Sequence, residues 1–277
     1  MDIIASFAAV VAAFFKLQIW WVVGLGIVCA APMIFRSHAC HPGQAWWRSP
    51  TLLGDIAFSF LNFVVQPYLR IFLALLIVFA TTMDFGPEQA RAFFEEGAGP
   101  LSSAPVVVQL VVYVVGGDFM LYWAHRFFHG RRLWAFHAVH HAPEQLDWTV
   151  MYRFHPVNML FSTSLMTVTM LWLGVPPWLM AALAPIDTVT AAWVHSNLNW
   201  SCGPLKRIIA TPVFHRWHHT GPDEGGSSNF APTFAFWDVL FGTYYMPEGK
   251  LPQTYGVDDP SFPRGFAGQL FEPFIRF

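Results

Sequence analysis

Ten of the chain's twelve histidines fall between residues 125 and 219. Their spacing is that of side chains gathered on one face of a helix. His125 and His129 are one turn apart in HRFFH. His137, His140 and His141 follow an i, i+3, i+4 pattern in HAVHH, and His215, His218 and His219 repeat it in HRWHH. His155 stands before a proline in RFHPVN, and His195 lies in WVHSN. Neutral imidazole is the commonest protein ligand for a metal. Clustered buried rings without an ion would each carry an unmet polar nitrogen. The ten are therefore expected to form one polyhistidine site, for two metals. Asp118, seven residues before His125, and Asp187, eight before His195, are candidates to orient those rings from behind.

The setting for that site is apolar. Of 277 residues, 55% are hydrophobic and 12% charged, against about 25% charged in an ordinary soluble domain. An all-α integral membrane bundle of about four spans is expected, with a helical cap holding the histidines. Residues 3–35 read as one membrane helix, densest over Ile19–Phe35. Residues 36–50 read as a loop in which His38 and His41 are solvated. Residues 51–83 read as a span disturbed at Pro67, and 84–104 as an acidic external loop. Residues 105–124 read as a helix running directly into His125. Residues 157–195 read as a hairpin split at Gly174-Val175-Pro176-Pro177, either two short spans or a re-entrant pair.

In domain terms the whole chain, 1–277, is expected to be one unit: 1–104 supplies membrane helices, 105–246 the histidine region and 247–277 a tail packed over it. Arg126, Arg131, Arg132, Arg153, Lys206, Arg207 and Arg216 put the basic bias on the histidine side, which places that side in the cytoplasm. A net charge of −2 offers no footprint for nucleic acid. The three cysteines are too few and too scattered for a disulfide framework or a zinc pattern.

Imidazole suits iron, zinc, copper and nickel, and spacing does not choose among them. Hydrolysis at zinc needs only three protein ligands and a water. Oxidation of an unactivated C–H bond needs a cofactor that activates dioxygen, and lipid chains offer such bonds. A metal transporter would set its ionisable residues at mid-span, lining a path, whereas these histidines sit at span ends. A haem carrier uses two axial histidines and would leave eight unexplained. A metal-binding sensor without lipid turnover is the remaining alternative.

HRFFH, HAVHH and HRWHH together resemble the three histidine boxes of the fatty acid hydroxylase/sterol desaturase family, and the segment Trp237–Tyr244, WDVLFGTY, resembles the family's stretch after the last box. The likeness covers roughly residues 110–246. It implies a di-iron centre on the cytosolic side and oxygen-dependent hydroxylation, desaturation or methyl oxidation of a membrane lipid. It also implies that zinc can take the same ligands in a purified sample. By this resemblance the ligands are the eight box histidines and His195, with His155 the tenth. Asn199 stands where fatty acid 2-hydroxylases carry a further histidine, which leans the likeness towards the sterol branch. The chain has no nucleotide-binding fingerprint and no cysteine cluster. Electrons are thus expected from a separate ferredoxin or a cytochrome b5-type partner; Arg131, Arg132, Lys206 and Arg207 read first as topology signals and only second as a docking face for it.

Overall fold

A computed structural model describes residues 23–31, 33–82 and 86–275. The expected first membrane helix lies largely outside them; its parts over 23–31 and 33–34 are seen as helix. Among the described residues the fold is helical throughout, with no strand. Three helices are long and apolar enough to cross a bilayer: Leu52–Ala80, Val106–Phe128 and Pro156–Leu173. They mark the chain as an integral membrane protein.

The first, α1, runs unbroken over Leu52–Thr82 with Pro67 inside it. Its outward surface is large and apolar, with Leu53, Phe60, Phe63 and Tyr68 exposed, as a lipid-facing helix requires. Its inward stripe carries two buried polar groups, Asp55 and Asn62, seven residues apart with buried Phe58 between them. The acidic stretch expected as a loop carries a short helix, α2 (Pro87–Glu96). Pro87 opens it and Gly97, at φ 74°, ends it.

The second candidate span, α3 (Val106–Phe128), contains a π-type turn over Val112–Gly116 and delivers His125 at its far end. Beyond it lies α4 (Trp134–His141), the short helix of the second box. The hairpin consists of α5 (Pro156–Leu173) and α6 (Pro177–His195). His155 caps α5 and Pro156 occupies its first turn, a pairing that fixes where the helix begins. The hairpin's turn lies at the end remote from the histidines, where the Leu101 N–H donates to the carbonyl of Leu173 at 2.8 Å. Gly117 of α3 allows α5 to approach, since a Cβ there would sit 2.3 Å from Met166 Cε.

After α6 the chain leaves the bundle. Thr211 caps α7 (Pro212–His218), its hydroxyl accepting from the Phe214 N–H at 3.2 Å. A loop over 228–234 follows, then α8 (Phe236–Leu240) and the C-terminal α9 (Phe266–Ile275). One core cluster fills the bundle around Tyr113, Met166, Met170 and Leu179. A second, around Tyr122, Val194, Phe214 and Phe230, joins the bundle to the loops that cover the histidines.

Candidate metal centre

Nine of the ten histidines converge. His125, His129, His137, His141 and His218 form one group, and His140, His195, His215 and His219 form a second. Within each group, one nitrogen of each ring lies within 4.8 Å of the others. The groups adjoin, with the rings of His141 and His219 stacked at 4.5 Å. The i, i+4 pairs stay together: 125 with 129, 137 with 141, 215 with 219. The i+3 members cross over, so His140 joins the pair from the third box and His218 the pairs from the first two.

Hydrogen bonds behind the rings fix their tautomers. His125 Nδ1 lies 2.7 Å from the Phe230 carbonyl, His218 Nδ1 2.7 Å from that of Ser228, and His195 Nδ1 2.6 Å from that of Ala191. His137 Nδ1 meets Asn158 Oδ1 at 2.7 Å, and His140 Nδ1 meets the Arg153 carbonyl at 3.2 Å. An oxygen of this kind only accepts, so each Nδ1 carries the proton and each Nε2 is left with a bare lone pair. Those bare nitrogens face one another, at 3.0 Å for His125 and His137 and 3.2 Å for His140 and His195. Two lone pairs at that distance repel unless a cation lies between them.

A proton is a poor candidate for that cation. Burial lowers the pKa of His137, His140, His141, His215, His218 and His219, and the neighbouring imidazoles lower it further. A metal ion fits: with metal–nitrogen bonds of about 2.0–2.1 Å, adjacent ligands are roughly 2.9–3.4 Å apart. His141 Nε2 is buried and makes no hydrogen bond, as a nitrogen kept for an ion would.

The remaining predicted residues lie elsewhere. His155 belongs to neither group: its Nδ1 accepts from the Val157 N–H at 3.1 Å and its Nε2 donates to the Leu270 carbonyl at 2.9 Å. Pro156 is the reason, since it starts a helix and makes His155 the cap. Asp118 is turned away from His125. It accepts from the N–H groups of Thr233 and Phe234 at 2.9 and 3.0 Å, and so anchors the loop whose Phe230 and Ser228 carbonyls hold His125 and His218. Asp187 lines a cavity of about 20 Å³ with Tyr113, Asp118 and Thr233; the acceptor for His195 Nδ1 is its own helix, at Ala191.

Sequence reasoning missed two arginines. Arg153 and Arg216, counted as topology signals, are 1% and 0% exposed. Arg153 pairs with Asp55 and donates to the Val139 carbonyl and Gln269 Oε1, at 2.9 and 2.7 Å. Arg216 donates to the carbonyls of Leu146, His195 and Ser196 at 2.9, 3.3 and 3.1 Å. It also meets His41 Nδ1 at 3.2 Å, so His41 is half-buried rather than solvated. Asp238 was missed too. It accepts from the N–H groups of Phe230 and Ala231, each at 2.8 Å. The signal available was its place in WDVLFGTY.

The family model described as fatty acid hydroxylase matches residues 110–243. Those residues, just under half of the chain, carry a fatty acid hydroxylase domain. The fatty acid hydroxylase region holds all nine clustered histidines with Asp118, Asn158, Arg153, Arg216 and Asp238. Asp55, His41 and Gln269, which brace it, lie outside. An ornithine lipid hydroxylase of Rhizobium tropici is 35% identical over 178 residues, 62% of this chain and 52% of that protein. The alkylglycerol monooxygenase of Xenopus tropicalis is 32% identical over 58% of this chain and 34% of its own length. A methylsterol monooxygenase of Arabidopsis thaliana is 29% identical over 52% and 49%. The matched part thus spans about half or less of these relatives. No solved structure matches the chain.

Proposed function

We propose that the nine clustered histidines hold two iron ions and that the protein oxidises C–H bonds of a membrane lipid with dioxygen. The facing Nε2 lone pairs carry this reading, because only a pair of cations satisfies them in a buried site. When bound, iron supplies an open coordination position for dioxygen and an oxidising strength that no side chain has.

The chain's own residues have three tasks in this reaction. The acceptors behind the rings, Asn158 and the carbonyls of Phe230, Ser228, Arg153 and Ala191, hold each Nε2 pointed inward and deprotonated. The buried arginines fix the segments that carry those acceptors. The surrounding core, with Phe128, Phe154 and Phe230 against the rings, excludes water from the oxidant.

The substrate is proposed to be a bilayer lipid reaching the histidines from the membrane. Every relative named above acts on a lipid, so ornithine lipids and alkylglycerols are the first to test and methylsterols the next. The electron donor is proposed to be a separate ferredoxin or cytochrome b5-type protein. The metal centre is proposed to face the cytoplasm. The exposed Arg131 and Arg132 support that side, whereas the buried Arg153 and Arg216 no longer bear on it.

The experiment is expression with and without the gene, lipid mass spectrometry, and metal analysis of the purified chain. A gain of about 16 mass units marks hydroxylation and a loss of about 2 marks desaturation, the two outcomes open to such a centre. Two ions per chain are expected, retained in His155→Asn, which keeps the helix cap, and lost in His137→Ala. Unchanged lipids in the presence of a competent donor refute the oxidation. Full metal in His137→Ala refutes the site.

A further inference from the structure

The C-terminal helix α9 has two unlike edges. Gln269, Glu272 and Pro273 are buried against the protein. Ala267, Phe271, Phe274 and Ile275 follow at i, i+4, i+7 and i+8 and face outward. The three large ones are 60%, 58% and 82% exposed. Three large apolar side chains on one exposed edge, with no charge among them, are unusual where water is the neighbour.

The level of α9 along α1 says what lies beside it. The apolar segment Leu52–Ala80 has 29 residues, roughly 43 Å at 1.5 Å per residue, against a hydrocarbon core of about 30 Å. Its first turns therefore stand at the headgroup boundary. Phe266, the first residue of α9, packs on Phe58 of those turns at 4.6 Å between ring centroids. Leu53, Ile56 and Phe60 of the same turns are exposed and apolar, so α9 and α1 share one level of apolar surface.

We infer that α9 is an interfacial helix, with Phe271, Phe274 and Ile275 inserted into the headgroup–acyl boundary of the bilayer. This inference stands apart from the oxidation reading and survives its failure. Its consequence is local. The inner edge of α9 holds Arg153 through Gln269 at 2.7 Å, and the Arg153 carbonyl accepts from His140. A lipid-seated helix therefore lies two contacts from a candidate metal ligand.

The test uses the full chain in phosphatidylcholine vesicles. Phe271→Cys and Phe274→Cys, both at exposed positions, carry a polarity-sensitive maleimide dye. Lys250→Cys serves as a water-exposed comparison, and the unsubstituted chain gives the background from Cys29, Cys40 and Cys202. Emission at 271 and 274 is expected to shift to the blue. Lipids spin-labelled near the carbonyl region are expected to quench it at least about twofold more than at position 250. Water-like, unquenched emission overturns the inference. So does self-quenching that rises with protein-to-lipid ratio while lipid quenching stays at the level of position 250, because a second copy would then cover the helix.

Discussion

At His137 the nitrogen that faces the site is chosen by a side chain 21 residues further on. The Asn158 amide oxygen accepts a hydrogen bond from the Nδ1–H. Asn158→Ala removes the acceptor and leaves the ring free to turn or change tautomer. Metal affinity, followed by iron titration of the stripped protein, is expected to fall about 10–100-fold. Arg153 works differently. It is 1% exposed and pairs with an equally buried Asp55. Arg153→Met leaves that carboxylate buried and uncompensated, at a cost of about 3–5 kcal/mol. Thermal unfolding in detergent is expected to show it as a lowered Tm. Adding Asp55→Leu should recover a large part of the loss, because the cost lies in the stranded charge.

Among the elements, the loop over 228–234 has the most specific task. Its carbonyls at Ser228 and Phe230 orient His218 and His125, both of the first group, and it supplies no acceptor to the second. Asp238 pins it by two backbone N–H groups and Asp118 by two more. Asp238→Ala is therefore expected to weaken one metal position and spare the other. Bound iron should fall from two ions per chain towards one, with secondary structure unchanged by circular dichroism. Equal loss from both positions would mean that the loop supports the centre as a whole. The two short box helices, α4 and α7, each serve both groups, so a change of pitch in either would disturb both ions.

Across the molecule, proton binding and metal binding compete for the same nitrogens. Burial holds His137, His140, His141, His215, His218 and His219 below the usual imidazole pKa in the fold. The unfolded chain then binds more protons than the folded one below about pH 6.5, and stability falls as pH falls. Each such imidazole contributes a slope of about 1.4 kcal/mol per pH unit between its unfolded and folded pKa. Metal-free protein is expected to be stable above pH ~6.5 and to lose Tm progressively below it. Loading with iron should move the onset to lower pH, because the ion holds the rings deprotonated. Thermal scans at stepped pH, with and without metal, measure both effects.

Much of this protein is local and therefore written along the chain. Apolar runs of span length, histidines at helical spacing and prolines that open helices are short-range patterns, and they gave the helical membrane bundle and the nine ring positions. Three things depended on contacts between distant residues. One was the division of His137, His140 and His141 between two groups, which requires α7 to lie against α4. Another was the fate of His155, whose ring was claimed by its own helix start and by the Leu270 carbonyl. The last was the role of Arg153 and Arg216, identical in sequence to surface arginines and turned into internal struts by partners more than 65 residues away at Asp55, Gln269 and Leu146. Spacing along one helix fixes which side chains share a face. Which ion-sized space that face borders is fixed only when the helices pack.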